Sequence, residues 1–187
     1  QVEQRLVKHH LIDLLEPGKP FSVKQFKDIA TDTIHHIQNR GHVPIMVGGT
    51  GLYIDAVLYD YQFHGRSFSA DRATMKTDAL ILGIKPEMAL LKQKIRQRIE
   101  EMLNKGFIQE AQVLYHKYGA DCPQFEIIGY RHAASFIRGE IDKAELIERF
   151  VRDDYQLARR QMTWFKRNSA IHWLGQSAAA DKLLRHY

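Results

Sequence analysis

The sequence predicts an α/β fold: a parallel sheet core flanked by helices, followed by a C-terminal part that is mostly helical. Three observations predict it. Near the front, a helical pattern, a short β-branched run, a glycine-rich turn and a second helical pattern follow one another, the order of half a doubly wound unit. A second apolar run, Ala79-Leu80-Ile81-Leu82-Gly83-Ile84, reads as another buried strand. Beyond Lys85-Pro86 the apolar residues recur at helical spacing almost to the end.

The elements follow in order. A short apolar run over residues 7–15 ends at Glu16-Pro17-Gly18-Lys19-Pro20, a double turn signal. Ser22 stands as an N-cap for a helix whose inner face is Val23, Phe26, Ile29 or Ala30, Thr33, Ile34 and Ile37, stopped at Asn39-Arg40-Gly41. Pro44-Ile45-Met46-Val47 is expected to be a buried strand, and Gly48-Gly49-Thr50-Gly51 a turn into the helix of residues 52–58. Between Asp60 and Lys76 no periodicity is apparent. Met88, Leu91, Ile95, Ile99 and Met102-Leu103 mark a helix that stops at Lys105-Gly106, and a second runs from Phe107 to Tyr118 before Gly119. A short helix follows Ile127-Ile128-Gly129-Tyr130-Arg131 as far as Arg138-Gly139. The longest helix starts near Asp142, with Glu145 at capping-box spacing, and reaches about Lys166 on an inner face of Ile147, Val151, Tyr155, Ala158, Met162 and Phe165.

Composition bounds the class. The chain has 187 residues, 44% apolar and 26% charged, the profile of a globular protein rather than a disordered or fibrous one. A single cysteine, Cys122, excludes an internal disulfide framework and a cysteine-based zinc site. No stretch approaches the ~18 apolar residues of a membrane span. The first residue is Gln1, inside a charged pattern with no Met, which reads as a cut fragment or a missing start.

The net charge of +5 is unevenly spread: between Arg149 and Arg167 six basic residues (Arg149, Arg152, Arg159, Arg160, Lys166, Arg167) stand against Asp153 and Asp154. By helical spacing they lie opposite the apolar face, as a phosphate-binding surface or an ordinary solvated face would. The glycine turn offers a backbone that a ligand can approach, helix N–H groups for an anion and the Thr50 hydroxyl, although such turns are often structural. No G-x-x-x-x-G-K-[ST] occurs. Arg96 and Arg98 stand on one helix as candidate pyrophosphate ligands. The pairs His9-His10 and His35-His36 are poor chelates, because neighbours on a helix point about 100° apart, and no metal site held by side chains is expected.

The order of the motifs adds a resemblance. His9-His10-Leu11-Ile12-Asp13, Phe21-Ser22-Val23 with Phe26, and Pro44-Ile45-Met46-Val47-Gly48-Gly49-Thr50-Gly51-Leu52-Tyr53 are followed by three further blocks. These are Arg98-Ile99-Glu100-Glu101-Met102-Leu103 with Gly106-Phe107, then Ile128-Gly129-Tyr130-Arg131, then Leu157-Ala158-Arg159-Arg160-Gln161-Met162-Thr163-Trp164-Phe165. This succession resembles the tRNA dimethylallyltransferases, and Val57-Leu58-Tyr59-Asp60-Tyr61-Gln62-Phe63 looks like their bacterial branch. The family's P-loop and Asp-Ser segment are absent from these residues. Its helical insertion is also absent where Tyr61-Gln62-Phe63 abuts His64 and Gly65-Arg66-Ser67-Phe68-Ser69. Residues 1–63 are thus expected to be a partial α/β core. Residues 64–187 are expected to hold a remaining core strand and a helical tRNA-binding region, with a segment missing between 63 and 64.

The resemblance implies a P-loop-NTPase-like core and a cytoplasmic, monomeric enzyme. It would use Mg²⁺ to transfer a dimethylallyl group from dimethylallyl diphosphate to N6 of adenosine-37, with the tRNA anticodon stem-loop as partner. It places Thr50 and Arg98 in catalysis, and Gly48, Gly49, Thr50, Gly51 and Arg98 at the diphosphate. It assigns tRNA contacts to Glu126, Ile127, Ile128, Gly129, Tyr130 and Arg131, and to Arg159, Arg160, Gln161, Met162, Thr163, Trp164, Phe165 and Lys166. Trp164, near the apolar side of its helix, suits a core residue as well as a stacking platform. Glu126 departs from the uncharged or basic residue that family members often carry there. Because the family's general base, an Asp, and its P-loop lie in the absent segment, the 187 residues alone are expected to be inactive. Two other readings are a non-catalytic RNA-binding fragment and a nucleotide kinase-like phosphotransferase.

Overall fold

The structure, a computed structural model, describes residues 5–64, 67–69 and 74–175. The chain divides into two compact units, residues 1–79 and 80–187.

In the first unit, helix α1 spans Val23–Gln38. Ser22 opens it through a capping box: the Gln25 N–H donates to Ser22 Oγ at 3.2 Å, and the Ser22 N–H donates to Gln25 Oε1 at 2.8 Å. The open choice at the middle of its inner face falls on Ala30, which is buried, while Ile29 is exposed. Helix α2, Gly51–Leu58, buries Ala56, Val57 and Leu58. Its Tyr53 stacks on Phe26 with ring centroids 4.6 Å apart, which ties the two helices together. The aperiodic stretch after Asp60 contains a small antiparallel hairpin, β1 (Gln62–His64) with β2 (Ser67–Ser69). Its Phe68 stacks on buried Tyr61 at 4.8 Å. The 63/64 junction lies inside β1, and Gly65 and Arg66 lie outside the described residues.

One element departs from expectation. Residues 44–47 form no strand, and Val43, Ile45 and Val47 are 84%, 83% and 90% exposed. A β-branched run has the preference for extended backbone, but becomes a buried strand only where another strand accepts its ladder and covers its faces. Among the described residues none pairs with it.

The second unit joins a strand pair to a helical assembly. Strand β3, Ile81–Ile84, lies parallel to β4, Ile171–Leu174, in the register Ile81↔Ile171 to Ile84↔Leu174. Gly83 opposes Trp173; a Cβ there would stand 2.6 Å from Ile171 Cγ2 and 2.8 Å from the Trp173 ring. Between the strands run α3 (Met88–Asn104), α4 (Phe107–Tyr118), a 3-10 turn (Pro123–Glu126), α5 (Ile128–Ile137) and α6 (Lys143–Phe165). Asp142 caps α6 by accepting from the Glu145 N–H at 2.8 Å. Ile95 and Ile99 of α3 and Phe150 and Val151 of α6 form the main core, with Leu91, Phe107, Ile128, Ile147 and Tyr155 packed on it.

The inner face of α6 is broader than the expected one: Ile147, Val151 and Tyr155 pack on the core, and Leu146 and Phe150 beside them are buried as well. Of the predicted positions only Val151 is fully buried, and Leu146 and Phe150 carry the remaining burial. The described part of α6 beyond Val151 contains no fully buried residue. Among the described residues no helix is long and apolar enough to cross a membrane.

The contact at Gly83 yields a prediction. Gly83→Ala should destabilise the second unit by ~1–3 kcal/mol through overpacking. Gly175→Ala, where a Cβ meets nothing within 4 Å, should stay within ~0.5 kcal/mol of wild type. Denaturant unfolding followed by tryptophan fluorescence compares the two.

Candidate functional site

The charged groups of the helical unit are arranged by the core beneath them. Asp153 and Asp154 follow Phe150 and Val151 by three residues, so each carboxylate sits one turn above a buried side chain, at the rim of the packed face. From that rim Asp154 accepts from Arg98 Nη2 of α3 at 2.5 Å, and six residues earlier Glu148 accepts from Arg96 Nη2 at 2.5 Å. These two ion pairs border the packing of α3 against α6.

Asp153 gathers three donors. Its Oδ2 accepts from Arg131 Nη2 at 2.8 Å and contacts His132 Nε2 at 3.0 Å, while its Oδ1 accepts from Arg152 Nε at 2.9 Å. His132 is buried, and burial is the largest influence on it, lowering its pKa below the ordinary 6.5 and outweighing the pull of Asp153 in the other direction. At Asp153, desolvation pushes upward, but the hydrogen bonds and charges of Arg152 and His132 outweigh it and hold the carboxyl below its usual 3.8.

Other predicted residues of this unit have mixed surroundings. Gly129 is buried under Phe150, and a Cβ there would stand 2.7 Å from Phe150 Cζ, so packing alone demands glycine. Ile128 packs against the core, whereas Glu126 and Ile127 are exposed. Tyr130 is half-buried with its ring 5.1 Å from that of Phe107, and its hydroxyl bonds Glu110. Burial first, then the Glu110 carboxylate, push its pKa up to about 12, so it stays a neutral donor.

The basic stretch of α6 is not uniform. Arg149 pairs with Glu145 at 2.5 Å and Arg152 with Asp153, so the front of the stretch is largely neutralised. Arg159, Arg160, Lys166 and Arg167 are exposed and form no ion pair among the described residues. Gln161, Met162, Trp164 and Phe165 are half-buried between them, and the Thr163 hydroxyl donates to the Arg159 carbonyl at 3.0 Å. The excess positive charge thus gathers at the far end of the helix.

In the first unit, Thr50 is the N-cap of α2, and its hydroxyl makes no capping bond. The helix does not use that group. None of Gly48, Gly49 and Gly51 takes a left-handed φ, and a Cβ on Gly48 would meet only Ile54 Cδ1, at 4.0 Å. Gly48 thus leaves open space beside the helix start, and none of the three supports a left-handed turn. Thr50 belongs to the first unit and Arg98 to the second. Arg98 keeps most of its guanidinium in solvent, with its side chain 62% exposed, while Asp154 holds one end.

Sequence reasoning passed over His132, Asp153 and Asp154. The available signal was the three-residue step from the buried pair Phe150-Val151 to the acidic pair, which places carboxylates where they can collect arginines from neighbouring helices. Among the described residues no group of three or more His, Cys, Asp or Glu could hold a metal ion.

Comparison with known proteins adds the following. The family model for IPP transferase matches residues 1–77 and 61–168. A tRNA dimethylallyltransferase of Geobacillus kaustophilus is 29% identical over 251 residues, covering 99% of this chain and 80% of the relative. One from Synechococcus elongatus is 30% identical, covering 95% of this chain and 75% of the relative. The crystal structure of the full-length tRNA isopentenylpyrophosphate transferase from Bacillus halodurans is similar with a TM-score of 0.82 at 27% identity, over 92% of this chain and 73% of that one. The Geobacillus match runs over 251 residues against 187 here, so that relative has at least 64 residues without a counterpart.

The histidine environment predicts a pH dependence. Unfolded His132 takes up a proton near pH 6.5 while the folded ring resists it, so the unfolded state binds more protons and stability falls as pH drops through 6.5. Asp153 adds its own loss only below 3.8, where the unfolded carboxyl protonates first. Thermal midpoints should decline between pH 7 and 5, and His132→Gln should flatten that decline. An equal slope in wild type and variant would contradict the assignment.

Proposed function

Since the chain belongs to the IPP transferase family, we propose that it transfers a dimethylallyl group from dimethylallyl diphosphate to N6 of adenosine-37 in tRNA. A carbon–nitrogen bond forms at the allylic carbon, the carbon–oxygen bond to the diphosphate breaks, and a proton leaves N6. The exocyclic amine is a weak nucleophile and the diphosphate a charged leaving group, so positioning and electrostatic stabilisation carry the reaction.

The observation that carries this reading is the exposed, unpaired set Arg159, Arg160 and Lys166 at the far end of α6, within the span the family model matches. Such a surface neutralises RNA phosphates, and the half-buried Trp164 beside it offers a ring edge to an unstacked base. In the other unit, the Thr50 hydroxyl and the space beside Gly48 at the α2 start suit an anionic leaving group. Within its own unit Arg98 is a largely exposed charge whose orientation Asp154 sets, which suits a phosphate ligand.

Mg²⁺ enters with the substrate in this reading. No cluster of carboxylates or imidazoles among the described residues makes a dedicated site, and Mg²⁺ commonly arrives bound to phosphate oxygens. Bound there, it would supply positive charge to offset that on the leaving group.

The parallel β3–β4 pair and the helix, glycine turn, helix order support a P-loop-NTPase-like core as the finer fold assignment. The residues present in the Geobacillus relative but not here are read as a deletion at the β1–β2 hairpin. The two segments matched by the family model overlap there, at residues 61–77.

The test uses this chain alone and the same chain completed with the parts of the Geobacillus kaustophilus relative that lie outside the matched span. With Mg²⁺, labelled dimethylallyl diphosphate and unmodified tRNA, the completed protein should label N6 of the target adenosine, and the chain alone serves as the comparison. In the completed protein Thr50→Ala should lower kcat about 100-fold and leave tRNA affinity nearly unchanged. Labelling that survives Thr50→Ala would remove that residue from the reaction. Tight tRNA binding without any labelling would favour the RNA-binding reading.

A further inference from the structure

The best-organised polar cluster of the helical unit is the one around Asp153, and no family motif quoted above includes that residue. Its carboxylate side chain is only 14% exposed, yet the side chains of two arginines it holds, Arg131 of α5 and Arg152 of α6, are 52% and 60% exposed. Each guanidinium spends one contact on Asp153 and has five N–H groups, so most of its donors face outward. His132 occupies a further place on the carboxylate from the buried side, approaching the same Oδ2 as Arg131.

We propose that Asp153 is a positioning residue for RNA binding: it clamps Arg131 and Arg152, from two different helices, into one two-armed phosphate grip. This rests on the tRNA reading above. Two guanidiniums sharing a site repel one another, and the intervening carboxylate cancels that repulsion while leaving a local excess of one positive charge. Arginine side chains are rich in rotamers, and ordering them at the moment of binding weakens association. A carboxylate already anchored over Phe150 removes much of that cost, because its own helix position is fixed by the core. The chemistry recognised is a pair of neighbouring backbone phosphates, contacted bidentately or one per arm. Arg152, read from sequence only as part of a basic stretch, becomes a specific ligand.

A purely structural salt bridge makes different predictions, and the experiment separates them. Affinity for an anticodon stem-loop is measured by fluorescence anisotropy over a series of salt concentrations, on variants whose folding is checked by thermal melting. Asp153→Asn should weaken binding about tenfold, and Arg131→Ala and Arg152→Ala should each reduce the salt slope by about one. The Asp153→Asn and Arg131→Ala effects should combine to less than their product, because the first acts through the second. Asp153→Glu should recover part of the loss. If Asp153→Asn does not fold, Arg152→Ala decides, since its side chain is exposed: unchanged affinity and salt slope overturn the proposal. A folded Asp153→Asn protein that binds RNA like wild type, or independent effects in the double variant, also overturns it while leaving the tRNA reading intact. Failure of the wild-type chain to bind the stem-loop overturns both.

Discussion

Phe150 and Val151 pack between Ile95 and Ile99 of the neighbouring helix, with the Phe150 ring seated where Gly129 lacks a side chain. That apolar contact governs the chemistry above it. It fixes the rotation of Lys143–Phe165 about its own axis, and helix geometry then places Asp153 and Asp154 one turn further along, at the rim. From the rim the two carboxylates take Arg131 and Arg98, one from each flanking helix. Burial of this order is worth about 1.5–3 kcal/mol for each fully covered side chain. The ion pairs at the rim, being partly exposed, each contribute about 0–1 kcal/mol. The core therefore supplies the stability, and the ion pairs mainly give direction to the arginines.

The same helix changes character along its length. Its first half is anchored and charge-compensated; its second half carries exposed Arg159, Arg160 and Lys166 beside half-buried Trp164 and Phe165. A long helix held at one end and basic at the other presents a fixed basic surface without ordering a loop to do it. In the first unit the design is different. There the Thr50 hydroxyl makes no capping bond at the start of an eight-residue helix, near Gly48, which leaves space open.

Much of this fold was legible in the sequence wherever the deciding forces are local. Ser22 and Asp142 cap their helices, and Gly106 and Gly119 bound a helix of the anticipated length, because capping and backbone freedom are read over a few residues. The strand expected at 44–47 did not form, since strand identity depends on a partner that no local pattern supplies. The buried face of Lys143–Phe165 is wider than its periodicity indicates. Ile147, Val151 and Tyr155 pack on the core as expected, and Phe150 joins them because Gly129 leaves room for its ring, a fit between distant residues that periodicity does not show. The contacts of Arg131 and Arg98 with Asp153 and Asp154 join residues 22 and 56 positions apart. Composition counted those acids only as a dilution of the basic charge.

The central claim is that one helix face, organised from the Phe150–Val151 core outward, forms the RNA surface. Hydrogen–deuterium exchange with and without an anticodon stem-loop tests it most directly. Binding should slow exchange in residues 126–131 and 149–167 while leaving Val23–Gln38 unchanged. Protection confined to the first unit, or absent from residues 149–167 at saturating RNA, would contradict the account.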